Sequence, residues 1–171
     1  QQGGAIGGGI QHIIRGESSV ATIGGGYQNY IVTNGTGAAI GGGEFNLAAE
    51  RAAAISGGWN NSALAAAAAV GGGISNLVSG EGGVIGGGYA NTNLGPVSII
   101  GGGTANFISG HASTIGGGTA NTNRGDYASV GGGLGNFLFA GDYSTIGGGW
   151  SNVIGSSLAE SATIGGGFKN Y

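Results

Sequence analysis

Few side chains in this sequence could carry chemistry. Its 171 residues hold seven Asp or Glu, four Lys or Arg, two His and no Cys. Asp126 and Asp142 fall at one place in consecutive repeats, a column shared with Arg51, Glu81, Pro96 and His111. Two carboxylates one repeat apart could hold a cation weakly. The plainer expectation for that column is a solvated, charged edge that discourages strand-to-strand aggregation. The glycine triplets suggest a backbone cradle for phosphate, but no Gly-Lys-Ser or Gly-Lys-Thr follows any of them. Calcium-binding solenoids need an Asp at every turn, and only two Asp residues are present. No paired carboxylates and no Ser-His-Asp set can be assembled from groups so scattered. The expectation is a chain that is not an enzyme, with no catalytic residue, no metal and no cofactor.

What would position any side chain is a repeat that fills the sequence. The apolar residue before each triplet falls at Ile6, Ile23, Ile40, Ile55, Val70, Ile85, Ile100, Ile115, Val130, Ile146 and Ile164. Seven of the ten spacings are 15 or 16, and the others are 17, 17 and 18. Numbered from 1 to 15, one unit reads G-x-x-[SAG]-[TAV]-[IV]-G-G-G-x-x-N-x-x-x. Positions 8 and 9 are Gly in all eleven units, and position 7 departs once, at Ser56. Such a period is too short for helix-pair repeats. The alanine belt over 48–73 keeps the same phase and is punctuated by glycines, so it reads as part of the same array. The fold class expected is all-β: a parallel β-solenoid, or β-roll, of about eleven coils in a single domain over 1–171. With coils ~4.8 Å apart, that is a rod roughly 50 Å long.

Within a unit, the segment before the triplet alternates. Small residues such as Ser113 and Ser144 are expected on a face holding nothing bulky, with Thr114 and Thr145 on the other. The triplet serves sharp turning with φ > 0 or close approach of another backbone. Position 12 is Asn in ten units: Asn29, Asn46, Asn61, Asn76, Asn91, Asn106, Asn121, Asn136, Asn152 and Asn170. Stacked in register they form a ladder, each amide donating to the carbonyl of the next coil. His12 replaces Asn in the first unit as an end-coil substitution. Positions 13 and 14 are mostly apolar, and a narrow coil can turn only one of them inward. The other faces solvent or a partner chain, since a long exposed apolar stripe marks an interface. Thr92–Asn93 and Thr122–Asn123 interrupt the stripe without evident reason. Candidate interface residues are Phe107 and Phe137 at position 13, and Tyr27, Trp59, Tyr89 and Trp150 at position 10, where Leu134 and Phe168 also fall. Aromatic residues with a polar handle suit packing against a protomer or recognition of sugar or protein.

Composition excludes other classes. Gly contributes 46 residues, yet there is one Pro and no Gly-X-Y period, which removes collagen. The formal charge of −3 with frequent Ile and Val is unlike a disordered chain. Nothing is basic enough for nucleic acid. The most apolar stretch, 62–78, is broken by three glycines, Ser75 and Asn76, so no membrane span is expected. The absence of Met, even at position 1, suggests a processed product or a segment of a longer chain.

The units "GHASTIGGGTANTNRGDYASVGGG" and "AGDYSTIGGGWSNVIG" resemble the YadA-like head repeats (haemagglutinin-type repeats) of trimeric autotransporter adhesins. The resemblance covers essentially the whole chain. It implies a left-handed parallel β-roll, three chains around a common axis, and display on a bacterial surface. The neck, coiled-coil stalk and barrel anchor usual in that family are not seen here, and no ligand-binding residue carries over. The function expected is a non-enzymatic rod of a surface fibre, a homotrimeric adhesin head displayed outside the outer membrane and presenting side chains to a host surface protein or glycan. The alternative is a subunit stacking end to end into an extracellular or phage-tail-type filament. A monomeric ice- or carbohydrate-binding solenoid is a third class, disfavoured because the Thr column at position 5 is broken by Ala, Val84 and Ile99.

Overall fold

The computed structural model describes residues 3–16, 18–32, 34–156 and 159–171. Among these residues there is no helix, and the chain winds as a parallel β-solenoid. Eleven two-residue strands at positions 5 and 6, from Ala5–Ile6 to Thr163–Ile164, form one sheet. Ten at positions 13 and 14, from Ile13–Ile14 to Val153–Ile154, form another. Single parallel bridges join position 10 of each coil to the next, from Ile10–Tyr27 to Trp150–Phe168. Each unit therefore lies on its successor in unbroken register: Ile85 pairs with Ile100, and Ile100 with Ile115. The alanine belt follows the same course, with Ala54–Ile55 paired to Ala69–Val70.

The interior is thin. Position 6 and position 14 supply its bulk, with Ile23, Ile31, Ile100, Ile108 and Leu138 fully buried. The alternation along the first sheet holds, but the small residues are not on an empty face. Ser98, Ser113, Ser144 and the alanines at position 4 point inward beside the Ile column, because positions 4 and 6 share a face of one strand. A coil this narrow has room for one large side chain there and one small one. Position 14 faces in and position 13 faces out, half-buried.

Two corners turn the chain, and neither coincides with the middle of the glycine triplet. Positions 1 to 4 form a tight turn closed from the position 4 N–H to the position 1 carbonyl, as from Ala53 to Glu50 at 3.1 Å and from Ala68 to Ala65 at 3.1 Å. The third residue of that turn has positive φ, as a type II turn demands; Ala67 is at 54° and Val97 at 53°. Position 11 makes the second corner, with Ala90 and Ala105 at 54° and 53°. Glycine is the exception in both columns, so composition hides the corners. The stack holds them: the position 11 N–H donates to the position 10 carbonyl one coil back, as from Ala105 to Tyr89 at 2.9 Å.

Candidate functional site

The position 12 column is the organising polar feature of the molecule. From Asn29 to Asn152 these side chains are buried. Each Nδ2 donates within its coil to the position 8 carbonyl and to the position 9 carbonyl of the next coil; for Asn106 these are Gly102 and Gly118, both at 3.0 Å. Each Oδ1 accepts the backbone N–H of the following Asn, as Asn106 does from Asn121 at 3.0 Å. The amide-to-amide bond runs toward the preceding coil: Asn106 Nδ2 lies 3.1 Å from Asn91 Oδ1, and the same bond recurs from Asn76 to Asn170. So the bond to the next coil goes to glycine backbone, and the side chains chain backwards. The column works chiefly as a clamp on the backbone of the glycine corner. Buried carbonyls and N–H groups without partners would each cost about 1–3 kcal/mol.

His12 occupies the clamp at its first rung. Its Nδ1 takes the Asn29 N–H at 3.2 Å, as an Asn oxygen does elsewhere, while the buried Nε2 has no partner among the described residues. His12→Asn is expected to raise stability by about 1 kcal/mol by ending that orphan. Thermal denaturation of the two proteins checks it.

A second polar ladder escaped sequence reading. Ser98 Oγ donates to the Gly110 carbonyl at 2.7 Å and accepts the Ser113 N–H at 3.0 Å; Ser113 in turn donates to Gly125 at 2.6 Å. The repeated [SAG] at position 4 was the available signal, but alanine in the same column concealed it. The interrupted units also find their reason. Asn93 and Asn123 are fully buried at position 14. Asn93 reaches across the interior to the carbonyls of Val84 at 3.1 Å and Ser98 at 2.7 Å, stitching the two sheets.

The second-position column is a corner, as expected, and its aspartates serve the backbone. Asp126 accepts the His111 N–H at 2.8 Å and Asp142 the Asp126 N–H at 2.9 Å. Among the described residues no group of three or more His, Asp or Glu is arranged to hold a metal, and no helix is long and apolar enough to cross a membrane.

The aromatic candidates separate into two columns. Tyr27, Trp59, Tyr89 and Trp150 line the bridge at position 10, where Tyr89 and Trp150 are 55% and 51% exposed. Phe107 and Phe137 stand on the outward face of the second sheet. Phe137 stacks on Phe139 of its own coil at 5.6 Å, and Arg124 lies over both Phe107 and Phe139 at 5.8 and 5.1 Å. Position 15 therefore joins position 13 on one face, apolar where Leu64, Leu94 and Phe139 are exposed and polar where Arg15, Ser79, Ser109 and Arg124 stand. Fold and ladders together define a parallel β-solenoid with internal polar clamps. No protein-family model matches the sequence, and no curated protein matches it closely enough to indicate a relative.

Proposed function

We propose that the chain is a non-enzymatic rod of a bacterial surface fibre, a trimeric adhesin head that holds outward side chains against a host surface protein or glycan. The observation that carries this reading is the outward face of the second sheet. Leu64, Leu77, Leu94 and Phe107 carry an apolar stripe over four consecutive coils, and after a coil bearing Thr122 and Arg124 it resumes at Phe137 and Phe139, in a chain whose own interior has no room for them. Stripes of that length are covered by partners in soluble proteins. Two further copies of the chain cover it in the proposed assembly, and the position 10 aromatics stay at the outer surface for attachment. The resemblance to YadA-like head repeats supports the same arrangement and the extracellular location.

Light scattering tests it. The wild-type chain is expected at three times its 16.1 kDa mass, and Phe107→Asp or Phe137→Asp at one. Trimers that survive both substitutions would remove this face as the interface. Electron microscopy of the same sample separates discrete rods, which the adhesin reading requires, from the long filaments of an end-to-end stacking subunit.

A further inference from the structure

One corner carries side chains that coil stacking does not need. From the second coil onward the third residue of the four-residue turn sits at positive φ; Gly37, Ala52, Ala67, Gly82 and Ala112 fill that place with little bulk, and Val20 and Val97 with a branched side chain. In two consecutive coils it is Tyr127 and Tyr143, at 54° and 60°. A bulky residue held in the left-handed region is strained. Their rings are stacked, with centroids 5.2 Å apart and planes 4° from parallel, and His111 meets Tyr127 edge-on at 5.2 Å. Tyr127 is thus contacted from two sides, by Tyr143 and His111, while remaining 52% exposed. Tyr143 is 63% exposed, and its second face looks along the stack toward the next residue of its column, the small and exposed Ser161. The Ser161 N–H bonds to the Asp142 carbonyl at 2.9 Å, which fixes that spacing.

Beside the rings, the second residues of the same turns are Asp126, Asp142 and Glu160, three of the seven acids in the chain. One oxygen of Asp126 and one of Asp142 accept backbone N–H groups, which anchors both carboxylates to the turn of the preceding coil. The other oxygen of each has no partner among the described residues. Arg124 does not neutralise them, since its guanidinium lies over Phe107 and Phe139 on the second sheet.

We infer that this corner docks an arginine side chain of a cationic peptide. The guanidinium lies flat on the open face of Tyr143, extending the ring stack by one layer, and donates its N–H groups to Asp142 and Glu160. An aromatic face attracts a cation, and a guanidinium adds a plane that stacks and a fork that matches a carboxylate. A lysine has the charge without the plane. A neutral sugar could cover the ring but would leave the three carboxylates unused, so charge complementarity favours the peptide. The site lies within one chain and does not rest on the trimer.

Fluorescence anisotropy with labelled hexa-arginine tests the inference on the full chain. Saturable binding is expected, weakened about tenfold by Tyr143→Ser, which installs the residue already tolerated at Ser161, and severalfold by Asp142→Asn, which keeps the acceptor for the Asp126 N–H. Hexa-lysine is expected to bind several times more weakly than hexa-arginine. The inference is overturned if hexa-arginine does not saturate, if it binds both variants as tightly as the wild type, if hexa-lysine equals it, or if cellohexaose binds through Tyr143 while hexa-arginine does not. Should Tyr143→Ser fail to fold, the Asp142→Asn comparison decides alone.

Discussion

Asn106→Leu is expected to destabilise the chain by roughly 3–6 kcal/mol, the largest effect of any conservative-volume change in the molecule. The substitution removes the donor that serves Gly102 and Gly118 and the oxygen that accepts the Asn121 N–H. The Asn121 N–H is then buried with nowhere to turn, since its neighbours in the stack are equally committed. Water cannot replace the lost oxygen because the column is sealed; Asn106 is 1% exposed and Asn121 fully buried. For a chain of this size, 1 kcal/mol corresponds to about 2–4 °C in Tm, so the loss is about 6–24 °C. Asn60→Ala is the control. Asn60 is exposed at position 11, a corner where Ala90, Ala105 and Ala120 already sit, and its substitution is expected to stay within about 0.5 kcal/mol. Equal melting temperatures for Asn106→Leu and the wild type would mean that the ladder is solvated.

The second large effect separates two glycines one residue apart. Gly103 has φ of 90°, and an added Cβ would meet the Gly118 carbonyl oxygen, the Gly118 nitrogen at 2.9 Å and the Asn106 Nδ2 at 2.8 Å. Two of those three neighbours are backbone of the next coil and cannot withdraw without parting the stack. At Gly102 the nearest atom to such a Cβ is the Gly87 oxygen at 3.8 Å, ordinary contact. Gly103→Ala is expected to cost more than about 3 kcal/mol, through strain and the forced separation of coils. Gly102→Ala is expected to be neutral or stabilising by up to about 1 kcal/mol, because alanine restricts the unfolded chain. Chemical denaturation of the pair measures the difference. Equal effects would show that the triplet is conserved in the repeat for a reason other than coil-to-coil approach.

This contrast marks where sequence reading stops. The period, the parallel stacking and the buried asparagine column were legible because they rest on identity at fixed spacing, and identical residues must meet when coils superpose. The corners were not legible. The expectation of φ > 0 or close backbone approach in the triplet holds at its third glycine, as at Gly103, but Ala67, Ala105 and Val97 also turn the chain, through hydrogen bonds to other coils that no local pattern records. The serine ladder was concealed by alanine in its column, and the inward Asn93 and Asn123 looked like breaks in a stripe. Each is a tertiary contact between coils, invisible to composition. Of the candidate surface, the aromatic columns at positions 10 and 13 were visible from spacing; the coil-to-coil bridge at position 10 and the position 15 side chains beside position 13 were not. The Tyr127–Tyr143 stack also went unremarked, since one aromatic pair in a column of varied residues does not stand out against eleven repeats.

The central physical statement is that the position 12 amides lie in single file, sealed from water, each holding glycine backbone of its own coil and the next. Side-chain amide hydrogen exchange followed by NMR tests it most directly. The Nδ2 protons of Asn46 through Asn152 should exchange orders of magnitude more slowly than those of the exposed Asn34 and Asn60. Ladder amides that exchange as fast as Asn34 and Asn60 in the folded protein would contradict it.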